Sequence, residues 1–132
     1  MSSLEKIRVG IVGAGTNTKL KHIPGLQAID GVSVDVVCNR SEESSQKAAD
    51  AFGIPRVAKH WKAVVADESI DAICIGTWPY LHAEISIAAL KAGKHVLTEA
   101  RMAMNALEGQ AMVDAFWECP DLVAQVVPSP FT

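Results

Sequence analysis

The fold of this chain is decided near its start, by Ile7-Arg8-Val9-Gly10-Ile11-Val12 followed directly by Gly13-Ala14-Gly15. A short, β-branched apolar run is typical of a buried parallel strand. The two glycines allow a tight turn and let the backbone approach a ligand closely. Such a turn can aim the N–H groups of the next helix at a pyrophosphate, whose charge the helix dipole favours. Thr18 replaces the third small residue of the full fingerprint, so a simple tight turn remains the alternative.

Composition and charge narrow the class of protein. The 132 residues correspond to one domain, and 49 % hydrophobic with 20 % charged residues is ordinary for a packed α/β protein. The net charge is −3 and no basic patch or arm is evident, which argues against a nucleic-acid partner. No apolar segment approaches the roughly 20 residues of a membrane span. We therefore expect neither a nucleic acid nor a membrane as partner.

The cysteines and histidines suggest neither disulfides nor a metal. Cys38, Cys74 and Cys119 are odd in number and form no CxxC pair, which predicts reduced, buried thiols in a cytoplasmic protein. The four histidines never fall at i,i+3 or i,i+4 spacing, and no close cysteine pair joins them. A metal site is therefore not expected.

Apolar runs alternate with helical patterns along the whole length. The predicted strands are Ile7–Val12, Ser33–Cys38, Arg56–Ala58, Ala72–Gly76, His95–Thr98 and Leu122–Val127. The first predicted helix is irregular, because Pro24 and Gly25 interrupt it. Three further helices are predicted from the Ser41 cap to Gly53, from Leu81 to Ala92, and from the Asn105 cap to about Trp117. This alternation predicts an α/β fold, a doubly wound Rossmann-type parallel sheet with helices on both faces. In that order the Gly13 turn lies beside the loop that follows Gly76.

The first turn offers the main phosphate-binding groups. Gly13 and Gly15 provide close backbone approach, and Thr16 and Asn17 add hydroxyl and amide groups at the start of a helix. The alternative is that Asn17 or Thr18 only caps that helix.

The end of the second strand bears on which dinucleotide is bound. Asn39 lies near the position where NAD-binding turns carry a carboxylate for the ribose hydroxyls, and no carboxylate is present. Arg40 can instead pair with a 2′-phosphate and lie against the adenine. An exposed arginine beside a capped helix is the alternative. Given a dinucleotide site, NADP is favoured over NAD.

Further candidates follow the fourth and fifth strands. Thr77 and Trp78 are placed to contact a cofactor ring, although Trp78 could equally cover the core. His82 opens a helix and is either a cofactor contact or structural. Glu99 can hydrogen-bond a ribose or act as a base, or else form a surface ion pair with Arg101.

Several spaced motifs resemble one known family. They are the Gly-x-Gly turn, His22-Ile23-Pro24, the loop from Thr77 to His82, and Gly93-Lys94-His95-Val96-Leu97 followed by Glu99. Together they resemble the amino-terminal domain of the glucose–fructose oxidoreductase and inositol dehydrogenase family. The resemblance implies a cofactor-binding domain of an NAD(P)-dependent oxidoreductase that acts on a sugar-like or polyol alcohol.

Two departures from that family qualify the expectation. The family's Glu-Lys-Pro motif, whose lysine is implicated in proton handling, is here Glu99-Ala100-Arg101. Alanine cannot transfer a proton and a guanidinium does not deprotonate near neutral pH, so the catalytic residue is unknown, with Glu99 and Arg101 as nearby candidates. The family's second, substrate-binding domain is also absent, so residues 1–132 are expected to be a truncated NAD(P)-binding domain, inactive alone.

Three functions follow from this. The first is the dinucleotide-binding part of the oxidoreductase, whose small-molecule substrate is bound by the full-length protein. The second is a catalytically silent nucleotide-binding module, a carrier, sensor or scaffold, because Ala100 replaces the lysine. The third is a CoA-binding domain of similar length and fold, which the Thr77–His82 and Glu99 matches disfavour. An exposed apolar face, left by a missing domain, predicts a homo-oligomer.

Overall fold

The computed structural model describes residues 6–13, 22–76, 81–99 and 106–127. Within these ranges, strands and helices alternate along the chain. They are β1 (Ile7–Val12), α1 (Ile23–Gln27), β2 (Val32–Cys38), α2 (Glu42–Phe52), β3 (Arg56–Val57), α3 (Trp61–Ala66), β4 (Ala72–Ile75), α4 (His82–Lys91), β5 (His95–Glu99), α5 (Ala106–Glu118) and β6 (Ala124–Val127).

The strands form one six-stranded sheet in the order β3-β2-β1-β4-β5-β6. Every neighbouring pair is parallel. The chain first winds outward from β1 to β3, then crosses back and continues from β4 to β6. This is the doubly wound order predicted from the sequence, and β1 and β4 are neighbours at its switch point.

Helices cover both faces of the sheet, as predicted. One core cluster joins β1 and β2 to α1 and α2, through Ile11, Ile23, Val37 and Ala48 among others. The other joins the sheet to α3, α4 and α5, with Val64, Ile85 and Ala115 as members. Because both faces are covered, β1 is buried from Val9 to Val12, which explains its continuous apolar run.

One helix was missed, and the limits of several elements differ. Trp61–Ala66 forms α3, with His60 as its N-cap accepting a hydrogen bond from the Lys62 N–H at 3.2 Å. Six residues are less than two turns, too short to show a helical period. The structure also begins β6 at Ala124, two residues after the predicted start at Leu122.

The cysteine prediction holds only in part. All three cysteines are free, and Cys38 and Cys74 are buried, but Cys119 is only partly buried. Cys119 follows α5 and lies at the rim of the core, where its thiol donates to the Leu90 carbonyl oxygen at 3.4 Å. Among the described residues, no group of three or more potential ligands could hold a metal ion, and none of the helices there has the length and apolarity needed to span a membrane.

Candidate functional site

The candidate site lies at the carboxyl edge of the sheet, where β1 ends between β2 and β4. Val12 is paired with Cys38 on one side and with Ile75 on the other. The strand ends are tied further by two main-chain hydrogen bonds, both 2.8 Å long, from Gly13 N–H to the Cys38 oxygen and from Gly76 N–H to the Val12 oxygen. In open α/β sheets this switch point is where ligands bind.

Gly13 directly follows β1 and has a backbone conformation that suits glycine. Its φ is 81°, in the left-handed region that a side chain disfavours. This positive φ agrees with the tight turn that the Gly-x-Gly pattern predicts at this position. The turn's other predicted contacts, Gly15, Thr16 and Asn17, lie outside the described residues, and so do Thr77, Trp78, Ala100 and Arg101.

Asn39 follows β2 and is held against the first turn of α2. Its side-chain amide donates to the Ser44 hydroxyl at 2.9 Å and to the Ser44 carbonyl oxygen at 3.3 Å. Its main-chain N–H donates to the hydroxyl of Ser45 at 2.7 Å, and that hydroxyl donates to the Ser41 carbonyl oxygen at 2.8 Å. Ser41 closes the set as the predicted N-cap of α2, accepting from the Ser44 N–H at 3.1 Å. We call these four residues the Asn39 latch.

Arg40 lies within this latch in sequence and is exposed. Its neighbours on both sides are fixed by hydrogen bonds, so the turn presents the arginine at the edge next to the ends of β1 and β2. Glu42 and Glu43 occupy the first turn of α2, where the helix dipole favours negative charge. Lys59 and Lys47 lie 3.8 Å and 3.6 Å from these two carboxylates, respectively. The local charge is therefore mixed, with Arg40 placed at the end of the strand.

His82 and Glu99 lie at the same edge of the sheet on later elements. His82 is the first residue of α4 and is 1 % exposed. Glu99 is the last residue of β5, opposite Val127 of β6, and so one strand further from the switch point than β4. The topology thus brings the ends of β1, β2, β4 and β5 to one edge, and the contribution of His82 and Glu99 to a cofactor site stays a prediction.

Sequence reasoning missed Ser44 and Ser45 as partners of Asn39. Ser45 is 0 % exposed, although serine inside an amphipathic helix normally faces water. The available signal was the run Ser41-Glu42-Glu43-Ser44-Ser45 directly after a strand-ending asparagine. A side chain that bonds backward to the preceding strand leaves no periodic mark in the sequence.

Comparison with known proteins agrees with this geometry. The model of the GFO_IDH_MocA oxidoreductase family, NAD-binding Rossmann fold, matches residues 7–124. The chain belongs to this family. Residues 7–124 are therefore an NAD(P)-binding Rossmann domain, as the motif resemblance implied.

Individual oxidoreductases resemble this chain over most of its length. The 1,5-anhydro-D-fructose reductase of Ensifer adhaerens is 32 % identical over 82 % of this chain and 32 % of its own. The scyllo-inositol 2-dehydrogenase (NADP(+)) IolW of Bacillus subtilis is 30 % identical over 83 % of this chain and 30 % of its own. The crystal structure of biliverdin reductase from Synechocystis, in complex with biliverdin and NADP+, is 32 % identical, with a TM-score of 0.84 over 91 % of this chain and 37 % of that one.

The match covers only part of each of these relatives. The chain spans about a third of the length of the curated relatives it matches. What their names state about substrates concerns proteins about three times as long.

Proposed function

We propose that this chain binds NADP in preference to NAD and serves as the cofactor-binding domain of an oxidoreductase that acts on a sugar-like or polyol alcohol. The observation that carries the cofactor choice is the turn after β2. There Asn39 donates its amide to α2, and Arg40 is exposed beside it at the end of the strand. The two residues directly after β2 are Asn39 and Arg40, so no carboxylate stands at this position to accept from the ribose hydroxyls, and a guanidinium is available for a 2′-phosphate.

Binding across the switch point assigns roles to the residues of this chain. We propose that Gly13, Gly15, Thr16 and Asn17 face the pyrophosphate, and that Arg40, in the turn that Asn39 begins, faces the adenosine end. Thr77, Trp78, His82 and Glu99 are proposed to lie toward the nicotinamide. When bound, the nicotinamide supplies the carbon that exchanges a hydride with the substrate. The chain contributes binding, orientation and exclusion of water.

The substrate class rests on two of the relatives, whose names specify a sugar derivative and an inositol. Residues 1–132 are proposed to supply the cofactor part of the reaction, with Glu99 as the candidate for deprotonating a substrate and Arg101 as the candidate for orienting or polarising it. The reductase of Ensifer adhaerens, the dehydrogenase of Bacillus subtilis and the biliverdin reductase are all named as enzymes, and none of them supports a catalytically silent module.

The test of cofactor choice is calorimetric titration of the chain with NADP and NAD, before and after Arg40→Ala. Loss of a charge-assisted contact to phosphate should weaken NADP binding about 10- to 100-fold and leave NAD binding within about twofold. Arg8→Ala is the matched control, because Arg8 is an exposed arginine at the other end of β1. Equal weakening of both cofactors by Arg40→Ala would refute the assignment of the 2′-phosphate to Arg40.

A further inference from the structure

The Asn39 latch fixes which end of the Asn39 amide faces α2. The Ser44 carbonyl oxygen can only accept a hydrogen bond, so the group 3.3 Å from it is the amide nitrogen. That nitrogen is also 2.9 Å from the Ser44 hydroxyl. The side chain that directly follows β2 is therefore used as a donor toward the helix.

A carboxylate at this position cannot make the same contacts. An aspartate has no N–H to donate, and one of its oxygens would face the carbonyl oxygen of Ser44. Asparagine thus has two effects here. It keeps a negative charge away from the place where a 2′-phosphate would lie, and it ties the start of the Arg40 turn to the helix.

The rest of the latch ties down the other side of that turn. Ser41 follows Arg40 directly, and its carbonyl oxygen and hydroxyl both bond to residues one turn further along α2. Ser45, which links Asn39 N–H to the Ser41 carbonyl, is fully buried, so its hydroxyl is held away from water. Arg40 is consequently the exposed residue of a turn whose main chain is anchored before and after it.

We propose that Asn39 is a positioning residue for cofactor selectivity, which acts through its hydrogen bonds to Ser44 by holding Arg40 in place for a 2′-phosphate. This inference rests on the proposed NADP function and names a further determinant of it. A hydrogen bond held in advance reduces the ordering that binding would otherwise require of the Arg40 turn. The latch therefore affects affinity for the 2′-phosphate and not affinity for adenosine itself.

The experiment compares 2′,5′-ADP and 5′-AMP, which differ by the 2′-phosphate alone, in calorimetric titrations of the whole chain. The variants are Asn39→Ala, Ser44→Ala, Arg40→Ala and the double variant Asn39→Ala/Arg40→Ala. Gln46→Ala is the matched control, because it breaks a hydrogen bond to Asp50 on the exposed side of the same helix. Thermal unfolding of each variant reports whether the fold is retained.

We expect Asn39→Ala to weaken 2′,5′-ADP binding about three- to tenfold, the range of one net hydrogen bond, and to leave 5′-AMP binding unchanged. Ser44→Ala retains the carbonyl acceptor, so a smaller loss in the same direction, about two- to fivefold, is expected. In the Arg40→Ala background, Asn39→Ala should have no further effect on the ratio of the two affinities, because its route of action is gone.

The outcomes of these titrations distinguish the positioning role of Asn39 from the proposed preference for NADP. Equal loss of both nucleotides in Asn39→Ala and Ser44→Ala, or an unchanged preference in both, refutes the positioning role while NADP binding stands. An undiminished effect of Asn39→Ala in the Arg40→Ala background also refutes it. If the unmodified chain binds neither nucleotide, or binds both equally, the proposed NADP preference itself is wrong and the inference falls with it.

Discussion

Gly10→Ala is the perturbation whose effect on stability follows most directly from the structure. Gly10 lies in the middle of β1, where Val64 of α3 packs against the strand. A Cβ added at Gly10 would lie 2.5 Å from Cγ1 of Val64, 3.2 Å from Cγ1 of Val36 and 3.5 Å from Cγ2 of Ile70. The first of these contacts is shorter than real Cβ contacts, so part of the structure must move.

The group that must move is stiff. Val64 belongs to α3 and is 1 % exposed, and a β-branched side chain in a helix has one strongly preferred rotamer. Rotation of the Val64 side chain into another rotamer is therefore unfavourable, and α3 must instead move away from the sheet. Overpacking of this kind costs about 1–3 kcal/mol, and the entropy gained by replacing a strand glycine returns roughly 0.5–1 kcal/mol. We expect a net loss of about 1–2 kcal/mol in the free energy of unfolding.

The assay is urea unfolding followed by circular dichroism, with the midpoint and the slope fitted separately. A lower midpoint at an unchanged slope indicates a loss of native stability. Gly25→Ala is the matched control, because a Cβ there meets nothing within 4 Å and Gly25 lies in α1. That change should be neutral or stabilising by up to about 1 kcal/mol.

A second variant tests the mechanism. Val64→Ala removes the atom that clashes and should by itself cost about 2 kcal/mol through lost packing. In Gly10→Ala/Val64→Ala the new methyl occupies part of the space that is left, so the double variant should be about 1 kcal/mol more stable than the sum of the single effects. Full additivity, or a Gly10→Ala variant as stable as the unmodified chain, would refute the close-packing argument.

Two further predictions concern the segment between α3 and β4. Hydrogen bonds from Ser69, followed by the guanidinium of Arg56, lower the pKa of Asp67 to about 2. The stabilisation by this carboxylate is complete above about pH 4 and is lost as the pH falls toward about 2, so Asp67→Asn should flatten that part of a curve of unfolding free energy against pH. At neutral pH the substitution should cost about 1 kcal/mol, because water screens the interaction with the half-exposed Arg56. Lys94 is 6 % exposed and donates from Nζ to two main-chain carbonyl oxygens at 2.8 Å. Lys94→Met should lower the free energy of unfolding in urea by about 2–3 kcal/mol, whereas Lys91→Met, at an exposed position, should change it by no more than about 0.5 kcal/mol. Similar effects of the two substitutions would contradict a stabilising role for the buried hydrogen bonds of Lys94.

The sequence was sufficient for the order of strands, because each buried parallel strand is an apolar run with clear ends. It was also sufficient for the caps that act locally, such as Ser41 at the start of α2. It was insufficient for α3, whose six residues show no period, and for the contact between Val64 and Gly10, which joins residues 54 positions apart. The Asn39 latch was missed for the same reason, since its bonds connect a strand end to the next helix and depend on the angle between them.

The position of Asn39 and Arg40 relative to the Gly13 turn depends on one irregularity in the sheet. Val9 is opposite Val34, but Gly10 is opposite Val36, so Asp35 is an extra residue in β2. If the pairing continued in the first register without this shift, Val12 would face Val37, and the turn after β2 would emerge one residue, about 3.3 Å, beyond the end of β1. The shift in pairing brings the end of β2 level with that of β1, where Gly13 N–H bonds to the Cys38 oxygen. The alignment of the proposed pyrophosphate and 2′-phosphate contacts is therefore set by strand register within the sheet, several residues before either turn begins.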